Sequence, residues 1–100
     1  MKASTTLTQD NVIVHAAGVY SAVLDGTLLI APHYGGQGHC LDPVGRIIWE
    51  NIAEPRSISS LCLWLGERYA VDMEICVKDV MDFLSDLLAR GMIVIVSRTP

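Results

Sequence analysis

The chain has 100 residues, of which 51% are hydrophobic and 18% charged, and its formal net charge is −4. This composition is typical of a single folded domain and excludes a disordered chain. The acidic balance argues against nucleic acid as a ligand, because phosphate backbones select basic surfaces. The apolar fraction exceeds what so small a core hides, so we expect some of it to face a partner, with a homodimer left open.

The N-terminal segment is polar and lacks the apolar run of a secretion signal. We expect residues 1–11 to be disordered and residues 12–97 to form one domain. The longest apolar run, at residues 92–96, is too short to span a membrane. Three cysteines lie far apart in the chain: Cys40, Cys62 and Cys76. Scattered thiols without a secretion signal indicate a reduced, cytoplasmic protein.

The first half of the chain predicts short strands. Residues 12–14 fit a short strand, and residues 19–32 fit a β-hairpin. The two strands of that hairpin are joined by Asp25 and Gly26, a dipeptide that tolerates the positive φ angles of a two-residue turn. Pro32 ends the second strand. A turn at residues 34–36 then leads to a third strand over about residues 37–41.

Three helices follow, and each has its own start signal. Asp42 before Pro43, Ser57 and Asp72 are the expected N-caps, and the third helix ends near Gly91. Apolar residues recur at helical spacing in the first two helices: Val44, Ile47, Ile48 and Ile52, then Ile58, Leu61, Cys62, Leu65 and Tyr69. The run "MIVIVS" after the third helix fits a closing strand. The sequence thus predicts an α+β domain of three strands followed by three helices.

The third helix carries more apolar surface than one packing contact needs. At about 100° per residue, its apolar residues cover roughly 160° of arc: Met73, Cys76, Val77, Val80, Met81, Phe83, Leu84, Leu87 and Leu88. A helix packed on one neighbour needs a stripe of about 100°. This helix therefore either packs centrally on two sides or lines a groove, and the pattern leaves both interpretations open.

The stretch "PHYGGQGHCLDPVG" contains residue types that bind metals and phosphates. His33, His39 and Cys40 are zinc-ligand types, but a flexible turn separates the histidines and His15 would have to come from another strand. The glycines match neither GxGxxG nor a P-loop, and the carboxylate of Asp42 would repel an anion at the following helix. We therefore expect no metal and no cofactor.

The same residues form no catalytic group. His39 and Cys40 are adjacent on a predicted strand, so their side chains point to opposite faces and cannot act as a dyad. Cys62 and Cys76 lie on predicted core stripes, and the carboxylates of the third helix lie on its solvent face. The sequence therefore does not predict an enzyme.

The backbone offers another interpretation of the glycine-rich stretch. Glycines at positions 35, 36 and 38 leave the third strand with little side-chain cover. As the edge of a sheet, this strand would be a template for an incoming peptide strand, with the third helix supplying side-chain pockets. The alternative is a plain hairpin turn with a short, protected edge. Spacing alone slightly favours this alternative, and both interpretations stay open here.

Much of the chain resembles the PqqD-like family of leader-peptide-binding domains, also called RiPP recognition elements. The resemblance runs from about residue 19 to residue 93, through "LDGTLLIA", "LDPVGRIIWENI", "LGERYAVD" and "VKDVMDFLSDLLARGMI". It implies a winged-helix-like fold with a three-stranded antiparallel sheet against three helices. It also implies a non-catalytic domain that binds the leader of a ribosomally made precursor as an extra strand on the third strand.

Carried over by position, the resemblance implies two groups of peptide-binding residues. The docking strand is Gln37, Gly38, His39, Cys40 and Leu41, and the groove wall is Val77, Val80, Met81, Leu84 and Leu88. Leu63 and Trp64, off the main stripe of the second helix, are candidates for the surface that faces a processing enzyme, although Trp64 covering the sheet is an equal alternative. The extra glycines of this chain leave the register of the bound leader open.

The resemblance is strongest to the stand-alone subunit of lasso peptide pathways, which hands the precursor to a leader-removing cysteine protease and an ATP-dependent cyclase. The alternative within the family is the chaperone of pyrroloquinoline quinone (PQQ) synthesis, which presents its precursor to a radical-SAM enzyme. Outside the family, the rival is a winged-helix DNA-binding protein. That rival predicts a basic recognition helix, whereas the third helix is mostly acidic.

Overall fold

The computed structural model describes residues 7–32 and 37–98. The predicted turn at residues 34–36, and with it Gly35 and Gly36, lies outside the described residues. In chain order the elements are β1 (Asn11–His15), β2 (Tyr20–Leu24), β3 (Thr27–Ala31), β4 (His39–Leu41), α1 (Pro43–Asn51), β5 (Arg56–Ser57), α2 (Ile58–Tyr69), α3 (Met73–Ala89) and β6 (Ile93–Arg98).

The strands form two antiparallel sheets of three strands, in the orders β2-β3-β4 and β5-β1-β6. The first is the predicted sheet, and the three helices follow it, so the predicted α+β class is confirmed. The predicted short strand at 12–14 and the predicted closing strand pair with each other, as β1 and β6, in the second sheet. The two-residue strand β5 was not predicted.

The hairpin of β2 and β3 turns where the sequence predicts it. Asp25 and Gly26 have φ angles of 52° and 80°, both in the left-handed region that a two-residue turn of this kind requires. The pairing is continuous from Leu24 opposite Thr27 at the turn to Tyr20 opposite the last residue of β3. This regular register fixes which backbone groups of each strand point outward.

The helix starts follow the predicted caps. The side chain of Asp42 accepts a 2.6 Å hydrogen bond from the amide of Gly45, and that of Ser57 accepts one of 3.2 Å from Ser60. Asp72 caps α3 in the same way. Each bond satisfies an amide that the first turn of a helix leaves without a partner, which is why these three boundaries were readable from the sequence.

One hydrophobic core draws on both sheets and all three helices. Its least exposed members include Ile13, Ile30, Ile52, Ile58, Leu61, Leu84, Leu87, Met92 and Ile93. The apolar stripes of α1 and α2 are narrower than predicted, because Val44 and Tyr69 are exposed. Trp49, which lay outside the predicted stripe of α1, is buried instead.

The N-terminal end of the described chain belongs to this core. Leu7 is buried with the core residues, and the side chain of Asn11 accepts a 2.8 Å hydrogen bond from the amide of Thr8. Residues 7–11 lie within the described chain, and Asn11 is the first residue of β1. The domain boundary at residue 12 stays a prediction. In the part of the chain that the structure describes, no helix is long and apolar enough to cross a membrane.

Candidate functional site

Among the described residues, strand β4 has no strand on its outer side and forms a free edge of the sheet β2-β3-β4. The residues that flank the two-residue turn, Leu24 and Thr27, form a hydrogen-bonded pair. Because hydrogen-bonded pairs alternate along the ladder, the backbone groups of Thr27, Leu29 and Ala31 point to β2. Their neighbours Leu28 and Ile30 then bond with β4, where they face Leu41 and His39. Cys40 lies between these two bonded positions. Its N–H and C=O therefore point away from the sheet, toward the free edge.

The predicted docking segment is mixed in exposure. Gln37, Gly38 and Cys40 are exposed, His39 is half-buried and Leu41 is buried in the core. Only residues 39–41 form strand, so Gln37 and Gly38 precede the regular ladder. A Cβ on Gly38 would lie 3.0 Å from the side chain of Leu29, so only a residue without a side chain fits there without displacing that neighbour.

Helix α3 approaches β4 near the C-terminal end of the helix. His39 Nε2 lies 3.9 Å from the carboxylate of Asp86 near the C-terminal end of α3. Further along, Gly45 of α1 lies so close to Phe83 that a Cβ on Gly45 would meet the ring at 3.1 Å. The flank of α3 that faces β4 and α1 therefore contains Phe83 and Asp86. Phe83 and Asp79 also line the cleft described below.

The groove wall predicted from the resemblance differs from this flank. Val80 and Leu84 are core residues, and Leu84 has no exposed surface. At 100° per residue, Val77, Met81 and Leu88 lie on the opposite flank of α3 from Phe83 and Asp86, where they are half-buried against the core. Among the predicted wall residues, Val80 lines the cleft described below. Val77, Met81 and Leu88 lie on the far side of α3 from β4.

An apolar cleft of about 490 Å³ opens between α1, the end of α2 and the first half of α3. Its walls include Val44, Gly45, Tyr69, Val71, Ile75, Cys76 and Phe83, and Asp42 and Asp79 are its charged lining residues. Asp42 also lines a second, separate cavity beside Cys40 and Leu41, so the cleft lies near the end of β4. Exposed apolar side chains at its rim make it a site for apolar groups.

The charges on α3 do not suit nucleic acid. Lys78 pairs with Asp82 at 3.2 Å, and Arg90 pairs with Asp86 at 3.0 Å. The side of α3 that faces β4 therefore offers carboxylates and no unpaired cation among the described side chains. A helix that reads DNA needs the opposite sign of charge.

A cluster of two arginines and an indole lies on α2 and the strand before it. The guanidinium carbons of Arg68 and Arg56 lie 5.1 Å and 6.0 Å from the ring centre of Trp64. Arg56 also donates to the amide oxygen of Asn51 at 2.7 Å. The neighbouring Leu63 is 59% exposed. We call Arg56, Leu63, Trp64 and Arg68 the α2 patch.

The cysteines and histidines form no reactive centre in the described part of the chain. Burial raises the pKa of the Cys62 thiol to about 11, and burial also raises the pKa of Cys76. Cys40 is a free, exposed thiol. Across residues 7–32 and 37–98, no three side chains of His, Cys, Asp or Glu come together as metal ligands. His33, which the metal interpretation needed, lies outside these ranges.

The fold and the site define a small α+β domain with an open strand edge beside an apolar cleft. The sequence profile of the family described as "Coenzyme PQQ synthesis protein D (PqqD)" matches residues 12–93. This match covers most of the chain, and the chain belongs to the PqqD family. No curated protein and no solved structure matches it.

Proposed function

We propose that this protein binds the leader region of a ribosomally made precursor peptide as an additional strand on β4 and delivers it to a processing enzyme. Membership of the PqqD family suggests a peptide-binding accessory domain without catalytic activity of its own. The observation that carries the proposal is the free edge of β4, with the N–H and C=O of Cys40 pointing outward beside the cleft.

The geometry of the edge supports a specific arrangement of the leader. A leader strand antiparallel to β4 exchanges both hydrogen bonds with Cys40, and its flanking side chains alternate between the two faces of the sheet. Those on the inner face meet the flank of α3 that contains Asp79, Phe83 and Asp86. The end of the leader nearest Leu41 then reaches the cleft, where an apolar leader side chain is held by Val44, Ile75 and their neighbours.

The pathway we propose is lasso peptide biosynthesis, in which the partner enzymes are a leader peptidase and an ATP-dependent cyclase. The resemblance of the sequence to stand-alone leader-binding subunits supports this narrower assignment. The description of the matching family favours the alternative, a chaperone of PQQ synthesis that presents its precursor to a radical-SAM enzyme. The two pathways differ in the enzyme that receives the precursor, which is a leader peptidase in the first and a radical-SAM enzyme in the second.

The α2 patch is our proposed contact with the processing enzyme. Among the described basic side chains, Arg46, Lys78 and Arg90 each have a carboxylate within 4 Å, whereas Arg56 and Arg68 have none. The patch therefore combines unneutralised positive charge with an exposed leucine and an indole, the residue types that dominate protein interfaces. Its charge fits an acidic surface on the enzyme.

Fluorescence anisotropy tests leader binding directly. A labelled leader peptide from the precursor encoded beside this gene is titrated with the protein at low and at moderate salt. We expect micromolar or tighter binding that barely weakens with salt, because backbone bonds and apolar contacts are hardly screened. No binding by the folded protein, with folding checked by circular dichroism, would contradict the proposal.

The enzyme contact has a separate test. Arg68→Glu reverses one charge of the α2 patch, and we expect it to slow leader removal in a reaction with the pathway's leader peptidase while leader affinity stays at the wild-type value. Lys78→Glu is the control, because Lys78 is an exposed basic residue that lies outside the patch and lines neither cavity. An equal loss of activity in both variants would show that net charge, and not the patch, is responsible.

A further inference from the structure

Strand β2 forms the second free edge of the sheet β2-β3-β4, opposite β4. All five of its residues are exposed, and Val23 and Leu24 have exposed fractions of 52% and 59%. The sequence of the strand, YSAVL, contains no charged residue and no proline. Natural edge strands usually carry such residues, which prevent pairing with another chain. The sequence of β2 contains none of these protective residues.

The backbone groups available at this edge follow from the same turn geometry. Tyr20, Ala22 and Leu24 are the positions that bond with β3, so the N–H and C=O groups of Ser21 and Val23 point outward. β4 is shorter, with only three residues, and offers one outward position. The edge of β2 therefore presents the longer ladder of the two.

We propose that two copies of this chain associate through antiparallel pairing of their β2 strands about a twofold axis at Ala22. In this register Ser21 of each copy pairs with Val23 of the other, so the outward-pointing groups of both strands exchange all four hydrogen bonds. Tyr20 faces Leu24 of the second copy, which is a favourable aromatic–aliphatic cross-strand pair. The sequence of the strand is thus complementary to itself.

The central position suits the twofold axis. Ala22 would face Ala22 of the second copy in a pair without direct hydrogen bonds, where Cα atoms approach to about 4.5 Å and side chains are closest. Alanine fits this spacing on both sides. Neither β2 carries a charge, so no like charges oppose each other in the new ladder, and the twofold contact closes on itself instead of growing into a fibre.

The association goes beyond the proposed leader binding and leaves it intact. The sheets β2-β3-β4 of the two copies join into one sheet of six strands. A β4 strand lies at each edge, and the two β4 strands are roughly 24 Å apart, which is five strand spacings. Both free β4 edges and both clefts stay open. The dimer therefore presents two leader sites that face in opposite directions.

Sedimentation equilibrium under reducing conditions tests the association, over protein concentrations from roughly 1 to 500 μM because a small interface binds in the micromolar range. We expect the mass to rise from that of the 10.9 kDa chain toward twice that value. Val23→Lys places a charge at the interface and is expected to remain monomeric throughout. Val96→Lys is the control, because Val96 has a similar exposed fraction, 49%, on the other sheet.

Three outcomes would overturn the proposal. They are a wild-type protein that stays monomeric at every concentration, a Val23→Lys variant that still dimerises, and a Val96→Lys variant that alone dissociates. Circular dichroism shows that each variant is folded. Leader affinity, measured by anisotropy, is expected to be equal in the wild type and in Val23→Lys, so failure of the dimer is distinguishable from failure of leader binding.

Engineered disulfides test the register. In a Cys40→Ser background, Ala22→Cys is expected to form a dimer on oxidation, because the two sulfurs would face each other at bonding distance. Ser21→Cys is the matched control: its equivalent in the second copy lies two residues further along the ladder, beyond disulfide range. Cross-linking of Ser21→Cys without cross-linking of Ala22→Cys would contradict the register.

Discussion

We propose that Cys40 binds the leader through its backbone N–H and C=O, although its thiol is the group that suggests chemistry in the sequence. The thiol is exposed, and it belongs to no group of three metal-ligating side chains in the described part of the chain. The N–H and C=O point to the free edge because Leu41 and His39 on either side bond with β3. The residue at position 40 must therefore keep its backbone N–H, whatever its side chain.

Two substitutions of Cys40 distinguish the role of its backbone N–H from the role of its side chain. Cys40→Pro deletes the outward N–H while leaving the bonds between β3 and β4 in place, since Cys40 does not donate to them. We expect this variant to stay folded and to bind the leader at least about tenfold more weakly, a change of roughly 1.4 kcal/mol. Cys40→Ala keeps the amide and is expected to bind like the wild type in the anisotropy assay. Wild-type affinity in the proline variant would argue against strand addition on β4.

His15 is the residue that links pH to the stability of the fold. Its Nε2–H donates a 2.7 Å hydrogen bond to the carbonyl of Trp49, and its ring stacks on the indole at 3.6 Å between centroids. Burial lowers the pKa of His15 below the usual 6.5, while the bond to the Trp49 carbonyl opposes this shift. The folded protein therefore favours the neutral imidazole of His15 more strongly than the unfolded chain does. Protonation of His15 destabilises the fold.

The sign of the pH dependence follows from this lowered pKa. The contribution of His15 to stability is complete above pH 6.5, the pKa of the unfolded state, and is lost as the pH falls toward the pKa of the folded state. We expect urea unfolding to require less denaturant at pH 5 than at pH 7.5. In His15→Phe, which keeps an aromatic ring against Trp49, this difference should shrink. An unchanged difference would assign the pH dependence to other groups.

At the scale of elements, α3 has two unlike flanks around one buried stripe. Phe83 and Asp86 face α1 and β4, whereas Val77, Met81 and Leu88 lie on the other side. The sequence predicted an apolar arc wide enough for both flanks but could not assign them. Periodicity defines angles within a helix, while the rotation of the helix relative to a sheet depends on packing by residues far away in the chain.

Two substitutions with matched exposure test which surface holds the leader. Ile75 lines the cleft and is 60% exposed, and Leu63 of the α2 patch is 59% exposed. Both lose little burial when replaced by serine, so neither variant should unfold. We expect Ile75→Ser to weaken leader binding several-fold in the anisotropy assay and Leu63→Ser to leave it unchanged. The reverse result would move the leader site from the cleft to the α2 patch.

The sequence predicted the features that depend on neighbouring residues. The Asp25-Gly26 turn and the caps at Asp42, Ser57 and Asp72 are local, because each places a hydrogen bond or a φ angle within a few residues. The second sheet was missed as a unit, since its three strands come from opposite ends of the chain and from a two-residue segment. The outward direction of Cys40 was readable in principle, by counting alternate positions from the two-residue turn.

At the scale of the whole molecule, the charges and apolar surfaces are divided among different faces. Carboxylates and apolar side chains line the cleft beside β4, the α2 patch carries two arginines without carboxylate partners, and β2 is an uncharged edge. A protein that receives one partner and passes it to another needs such separate surfaces. The three surfaces lie apart, so the leader, enzyme and second-copy contacts that we propose do not compete for the same residues.

The most direct test of leader binding is amide hydrogen exchange at Cys40, followed by nuclear magnetic resonance in the free protein and with saturating leader peptide. The account predicts that the Cys40 amide exchanges quickly in the free protein and at least about tenfold more slowly in the complex, because a leader carbonyl accepts its hydrogen bond. The amide of Leu41, already bonded to β3, should be protected in both. A leader that binds tightly while the Cys40 amide still exchanges quickly would contradict strand addition on β4.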